Sequence, residues 1–339
     1  MEEIGEYFDY YSYLKDKINS GGYVGYMCSY VPPEIISASG FEPLPIIFPP
    51  LYPERTDEVY PKYFCPYIRN VNEYILRNGL NLEKIILTDG CDSSKRIYEC
   101  WKELGVSNSI YFLRIPFNSD ENSVKYFATE LKELFKDLNG GIETEKLVKT
   151  IDFYNSLRDK IRRDGLNPLS IFSLLTGEAY TNFENNYDHN PQVKVYLLSS
   201  MFPLDFIKYL HSLGVEVAYI DSCFGGNLLE RVENYHKDPF YVISEYYLKR
   251  TACFRSLGQE KRIENIKRLK ENIDGVIIYT LKFCDPLIYQ SARLREIIKT
   301  LNLPVLTIED DYTLGNKGQI RTRVEAFVEM IYERRKVSL

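Results

Sequence analysis

The sequence predicts an α/β protein made of two doubly wound halves with short parallel sheets, joined by a helical region. Short apolar runs bounded by turn residues recur along the 339 residues, four in each half. Most of them are apolar on both faces, as strands covered on both sides are. Charged amphipathic segments lie between most of them, the alternation that builds parallel sheets.

In the first half the candidate strands are residues 23–27, 44–48, 84–87 and 110–114. Cys28 directly follows the first, and Cys91 follows the third after a Thr-Asp-Gly turn. Cys65 lies in Phe64-Cys65-Pro66-Tyr67, just ahead of a helix. The amphipathic segment 93–104 holds Cys100 beside Trp101, and Cys100 reads as a packing residue. Residues 119–138 and 143–163 are helical, 167–179 is a further candidate helix, and the polar stretch 183–192 reads as a linker. The expected division is a first domain at 1–140, a helical connector at 141–190 and a second domain at 191–339, with the boundary near Asn190. The second-half strands are 193–198, 215–220, 275–281 and 304–308, and a last helix spans 319–335 after a glycine-rich turn. Cys223 and Cys284 follow the second and third of these strands, and Cys253 follows a helix. Ligands of parallel α/β sheets bind beyond the carboxyl ends of the strands. Four cysteines stand there, and they share one cleft if the two halves face each other.

Composition narrows the chemistry. Hydrophobic residues make up 45 % and charged residues 27 %, with a net charge of −6. No basic stripe with interleaved aromatics is present, so nucleic acid is not an expected partner. No basic-then-apolar leader is seen, and no apolar run approaches the ~18 residues that span a bilayer. The expected place is the cytoplasm, where disulfides are rare. The seven cysteines are then packing residues, nucleophiles or metal ligands. No Cys-x-x-Cys occurs, and His189, His211 and His236 do not pair with cysteines at zinc-finger spacing. Thiolates without a histidine or carboxylate cluster form a soft site, suited to iron–sulfur clusters, copper(I) or zinc. No glycine-rich phosphate loop is present, so ATP hydrolysis is not expected of this chain. Glu34, at a helix start, is either a substrate proton donor or ligand hydrogen-bonder, or an acid favouring the helix dipole. Arg321 and Arg323 are either anion binders or a solvated helix face, and Lys95 either tunes a centre near Cys91 or is a surface lysine.

Three long motifs carry a resemblance. They are Gly25-Tyr-Met-Cys28-Ser-Tyr-Val-Pro-Pro-Glu34 with Ser39-Gly40-Phe41, then Asp274-Gly-Val-Ile-Ile through Lys282-Phe-Cys284-Asp, and Gly318-Gln-Ile-Arg321-Thr-Arg323-Val-Glu-Ala-Phe-Val-Glu329. In this order they resemble the 2-hydroxyacyl-CoA dehydratase and benzoyl-CoA reductase family over nearly the whole chain. The resemblance implies two Rossmann-like domains, an oxygen-sensitive iron–sulfur cluster in the cleft between them, and an ATP-hydrolysing iron–sulfur partner that injects low-potential electrons. It also implies a homodimer or a heterodimer with a paralogue. In the dehydratases three cysteines hold one 4Fe-4S cluster, and the matching positions are Cys28, Cys91 and Cys284. Cys65, Cys223 and Cys253, in their local motifs, resemble the double-cubane branch of the family. Two cubanes sharing a sulfide leave about six irons needing a thiolate, and setting Cys100 aside leaves six cysteines. The function this implies is an ATP-dependent reductase acting on a small-molecule or acyl-CoA substrate. The alternatives are a single-cubane dehydratase subunit and a non-catalytic electron-transfer protein.

Overall fold

The computed structural model describes residues 10–18, 20–106, 109–164, 170–178, 191–251, 253–256 and 259–337. The expected boundary near Asn190 and linker residues 183–190 lie outside the described residues. The first half runs α1 (Tyr10–Lys17), β1 (Tyr23–Tyr26), α2 (Pro33–Ala38), β2 (Glu42–Pro45), α3 (Glu54–Val59), α4 (Pro66–Asn78), β3 (Lys84–Thr88), α5 (Asp92–Leu104) and β4 (Ile110–Leu113). Three helices follow: α6 (Glu121–Asn139), α7 (Thr144–Asp164) and α8 (Ile171–Thr176). The second half runs β5 (Val193–Ser199), α9 (Asp205–Ser212), β6 (Val215–Asp221), α10 (Pro239–Lys249), α11 (Glu260–Leu269), β7 (Gly275–Leu281), α12 (Asp285–Thr300), β8 (Val305–Asp310) and α13 (Lys317–Val337).

Each half forms a four-stranded sheet, in the orders β2-β1-β3-β4 and β6-β5-β7-β8. All the strand pairs are parallel. The expected two-fold doubly wound architecture is what the chain adopts. The orders are the same when strands are counted within each half. Strand order therefore reverses between β1 and β3 in one sheet and between β5 and β7 in the other. Such a switch point opens a crevice at the carboxyl ends of the strands. The central strands β1 and β7 are buried along their whole length, which is why they read as continuous apolar runs.

Two boundaries differ from the sequence reading for local reasons. β2 starts before Pro43 and ends at Pro45, which a strand tolerates only at a sheet edge. β8 extends to Asp310, whose buried carboxylate accepts a hydrogen bond from Tyr279 Oη at 2.6 Å. A polar residue was thereby absorbed into a strand.

The connecting helices bind the halves together. Asp120 caps α6 by accepting from Ser123 N at 3.0 Å, and Gly140 ends it at φ 75°. Helix α10 comes late in the chain but packs on α6 and α7: Phe240 meets Phe135 edge-on at 5.6 Å, and Tyr247 Oη donates to Glu34 Oε2 of α2 at 2.8 Å. One apolar core therefore runs through residues of both halves. No described helix is long and apolar enough to cross a membrane.

Candidate metal centre

A cavity of about 820 Å3 opens at the carboxyl ends of the strands. That lies within the range of roughly 300–1,000 Å3 usual for ligand sites. Cys28, Cys65, Cys91, Cys223, Cys253 and Cys284 all line it. Cys100 does not; it sits on α5, half-buried against the core. The fold explains the convergence. Cys28 leaves β1 and Cys91 follows β3, on the two sides of the first switch point. Cys284 follows β7 at the second switch point, and Cys223 follows the neighbouring β6. Cys65 and Cys253 come from loops beside α4 and after α10.

Three of these thiols precede helices. Cys65, Cys91 and Cys284 occupy the N-cap positions of α4, α5 and α12, and none closes a side-chain cap hydrogen bond. Backbone N–H groups of the first turns face their sulfurs, at helix ends that favour a thiolate over a thiol. Opposing that, burial pushes the Cys65 thiol up from its ordinary 9.0 to about 12, and the charge of Cys284 adds to the rise. Cys91 and Cys223 are pushed well up, first by burial and then by neighbouring cysteines, Cys65 for the one and Cys253 for the other. Burial also raises Cys28 and Cys284. A cation must displace these protons to bind.

The raised thiols predict a pH dependence for protein freed of metal by chelation. As pH rises through 9.0 the unfolded chain gives up the Cys65 proton, while the folded chain holds it to about 12. Bound protons then favour the folded state less and less, so stability present below pH 9 declines across that window. The span is worth at most about 4 kcal/mol. Thermal melts of the metal-free protein should fall more steeply from pH 9 upward than those of Cys65→Ala, and parallel curves would refute it.

Other cavity residues escaped the sequence reading. Tyr67 is fully buried among the cysteines, with its hydroxyl donating to Ile46 O at 2.6 Å. Ser200, just past β5, borders the cavity and accepts Cys223 N on its carbonyl at 2.8 Å. Its position at a strand end was the same signal that marked the cysteines. Ser94 also borders the cavity, and its buried hydroxyl has no hydrogen-bond partner among the described residues. Gly90 is needed for close approach: a Cβ there would stand 3.2 Å from Cys28 Sγ and 3.0 Å from Thr88 Oγ1. Phe283 precedes Cys284 at φ 61°, a conformation that bulky residues rarely hold. With Tyr63 and Tyr289 it forms an aromatic lip, the two tyrosines 69 % and 82 % exposed.

Four other candidates lie elsewhere. Glu34 is outside the cavity wall; it is wholly buried, ion-paired with Arg158 and bonded by Tyr247. Of the two expected roles, a carboxylate sealed in that way suits the structural one better than proton donation. Arg321 pairs with Glu325 at 2.7 Å on exposed α13, and Arg323 donates to Thr307 O at 2.6 Å. Lys95 is exposed on α5 and does not line the cavity.

The donor set is six thiols, with the buried hydroxyls of Ser94 and Ser200 and the carboxylates of Asp92 and Asp285 on the same wall. Among the described residues no three His, Cys, Asp or Glu side chains converge as ligands of one ion would. The thiols are instead distributed around a wall, an arrangement that fits a group with several metal atoms. Cys100→Ser should leave the metal content unchanged; iron loss on anaerobic purification of that variant would mean that the wall has been misread.

Comparison with known proteins gives the family. The sequence profile of the family described as 2-hydroxyglutaryl-CoA dehydratase, D-component, matches residues 28–171 and 171–331. The (R)-phenyllactyl-CoA dehydratase beta subunit of Clostridium sporogenes is 22 % identical, over 91 % of each chain. A benzoyl-CoA reductase subunit of Thauera aromatica is 23 % identical, over 91 % of this chain and 90 % of its own. The lactoyl-CoA dehydratase subunit beta of Anaerotignum propionicum is 21 % identical, over 91 % and 92 %.

Proposed function

The chain belongs to the 2-hydroxyglutaryl-CoA dehydratase D-component family, and from that premise we propose that it is the cluster-bearing component of an ATP-dependent reductase. Cys28, Cys65, Cys91, Cys223, Cys253 and Cys284 hold a double-cubane iron–sulfur cluster in this reading. The observation that carries it is the selection of six cysteines out of seven by one cavity. Six thiolates match the irons that two cubanes joined at one sulfide leave open, whereas a single 4Fe-4S cluster takes about four. Bound there, the cluster supplies low-potential electrons one at a time. The chain itself orients the thiolates at three helix ends, excludes water with Met27, Ile68, Met201 and Phe254, and leaves an aromatic lip for the substrate. The electrons come from a separate ATP-hydrolysing iron–sulfur protein, and the working form is a homodimer in the cytoplasm.

A second reading is a dehydratase subunit with one cubane and a paralogous partner. The names of the relatives favour it, since two are beta subunits and the third is likewise named as a subunit. Anaerobic purification with assay of iron and acid-labile sulfide separates the two. About eight irons and nine sulfides per chain support the double cubane, and about four of each support the single one. Zinc in place of both would sink the iron–sulfur assignment.

A further inference from the structure

Buried arginines normally sit against a carboxylate, because an uncompensated buried charge is costly. Two of the arginines obey this rule: Arg158 pairs with Glu34, and Arg262 pairs with Asp221 at 2.6 Å. Two others beside the cavity have no carboxylate partner among the described residues: Arg250, which is buried, and Arg255, which is half-buried. Arg250 is only 4 % exposed, yet among the described residues it forms no ion pair with a carboxylate, and its Nη1 is buried without a hydrogen-bond partner. Its Nη2 donates to Ser29 O at 2.6 Å and Ser29 Oγ at 3.1 Å, directly beside Cys28. Arg255 lines the cavity and likewise forms no ion pair with a carboxylate among the described residues. Its Nη2 is fixed by Ile115 O at 3.2 Å and Pro116 O at 2.7 Å.

The two guanidinium groups flank one ring. Arg250 stands 5.4 Å and Arg255 5.5 Å from the centroid of Tyr30, whose hydroxyl lies 3.5 Å from Cys253 N. The chain has therefore fixed two positive charges between the loop of Cys28 and the loop of Cys253, neither of them ion-paired with a carboxylate among the described residues. Neutral thiols cannot supply an anion. A cluster on thiolates carries net negative charge at this place.

Resting on the iron–sulfur reading above, we propose that Arg250 and Arg255 are positioning residues that clamp Tyr30 and offset the negative charge of the cluster held by Cys28 and Cys253. A fixed cation beside a redox centre favours its reduced, more negative form, so the clamp raises the reduction potential.

The test is an anaerobic redox titration of the loaded protein, followed by electron paramagnetic resonance, with iron assayed on the same samples. Arg255→Gln should weaken the electron affinity about tenfold, which is about 59 mV more negative for one electron. Arg255→Lys keeps the charge and should recover most of the shift. Arg250→Gln should move the potential in the same direction. An unchanged potential in Arg255→Gln with full iron content overturns the proposal. If Arg255→Gln loses iron, recovery of iron in Arg255→Lys supports the charge argument, and equal loss in both overturns it. Wild-type protein without iron and sulfide would instead remove the iron–sulfur reading itself, before any variant is compared.

Discussion

Arg158→Met lowers the folding stability by about 3–5 kcal/mol, the usual cost of leaving one member of a buried ion pair alone. Arg158 is 1 % exposed and Glu34 not at all. Around the pair, Arg158 Nε donates to Leu228 O at 3.0 Å and Nη1 to Asn155 Oδ1 at 3.2 Å, with the guanidinium 5.1 Å from the Tyr246 ring. Removing the cation strands a carboxylate whose remaining partner is the Tyr247 hydroxyl. Denaturant titration of the metal-free protein gives the size. The double replacement Glu34→Leu with Arg158→Met should cost much less than the single one, because no charge is then left buried. If the two variants cost the same, side-chain packing and not charge holds α2, α7 and α10 together.

Cys65→Ala with Cys91→Ala should lose about half or more of the bound iron, since the two supply a third of the proposed ligands from one side of the cavity. These thiols are electrostatic neighbours, and Cys65 N lies 3.4 Å from Ser93 Oγ in the first turn of α5. The remaining four thiols could still retain a smaller cluster. Anaerobic iron and sulfide assays on the double variant, beside Cys100→Ser as control, give the answer. Full iron in the double variant would confine the ligands to Cys28, Cys223, Cys253 and Cys284 and end the six-thiolate assignment.

Much of this arrangement is written in local sequence. Strand ends are legible because β1, β3 and β7 are apolar on both faces and β6 on most of its length, so the cysteines just beyond them could be placed by the rule that ligands sit past strand ends. Cys65 was legible as a loop residue just ahead of a helix, which the structure shows as α4. Cys100 stood apart because it falls inside an amphipathic helix. What stayed hidden depends on contacts distant in the chain. Tyr67 and Tyr30 are two among 29 tyrosines, and nothing nearby marks them as neighbours of cysteines. Glu34 at a proline-led helix start looks like a helix-dipole acid or a catalytic group. Only Arg158, 124 residues away, shows that it is sealed in a buried ion pair. Nothing in the local sequence singles out Arg250 or Arg255, whose lack of an ion pair among the described residues only the fold shows.

The placement of α10 bears on how the protein moves. A clamshell of two doubly wound halves would ordinarily admit a guest by swinging open about a hinge. Here a helix encoded after β6 is seated in the core of the other half, through Phe240 against Phe135 and Tyr247 against Glu34. Swinging the halves apart would tear that seam and cost a large share of the folding free energy. Traffic into the cavity must then pass by side-chain and loop rearrangement at the lip of Tyr63, Phe283 and Tyr289. The slow step of admission is a local one, on the timescale of loops and not of domains.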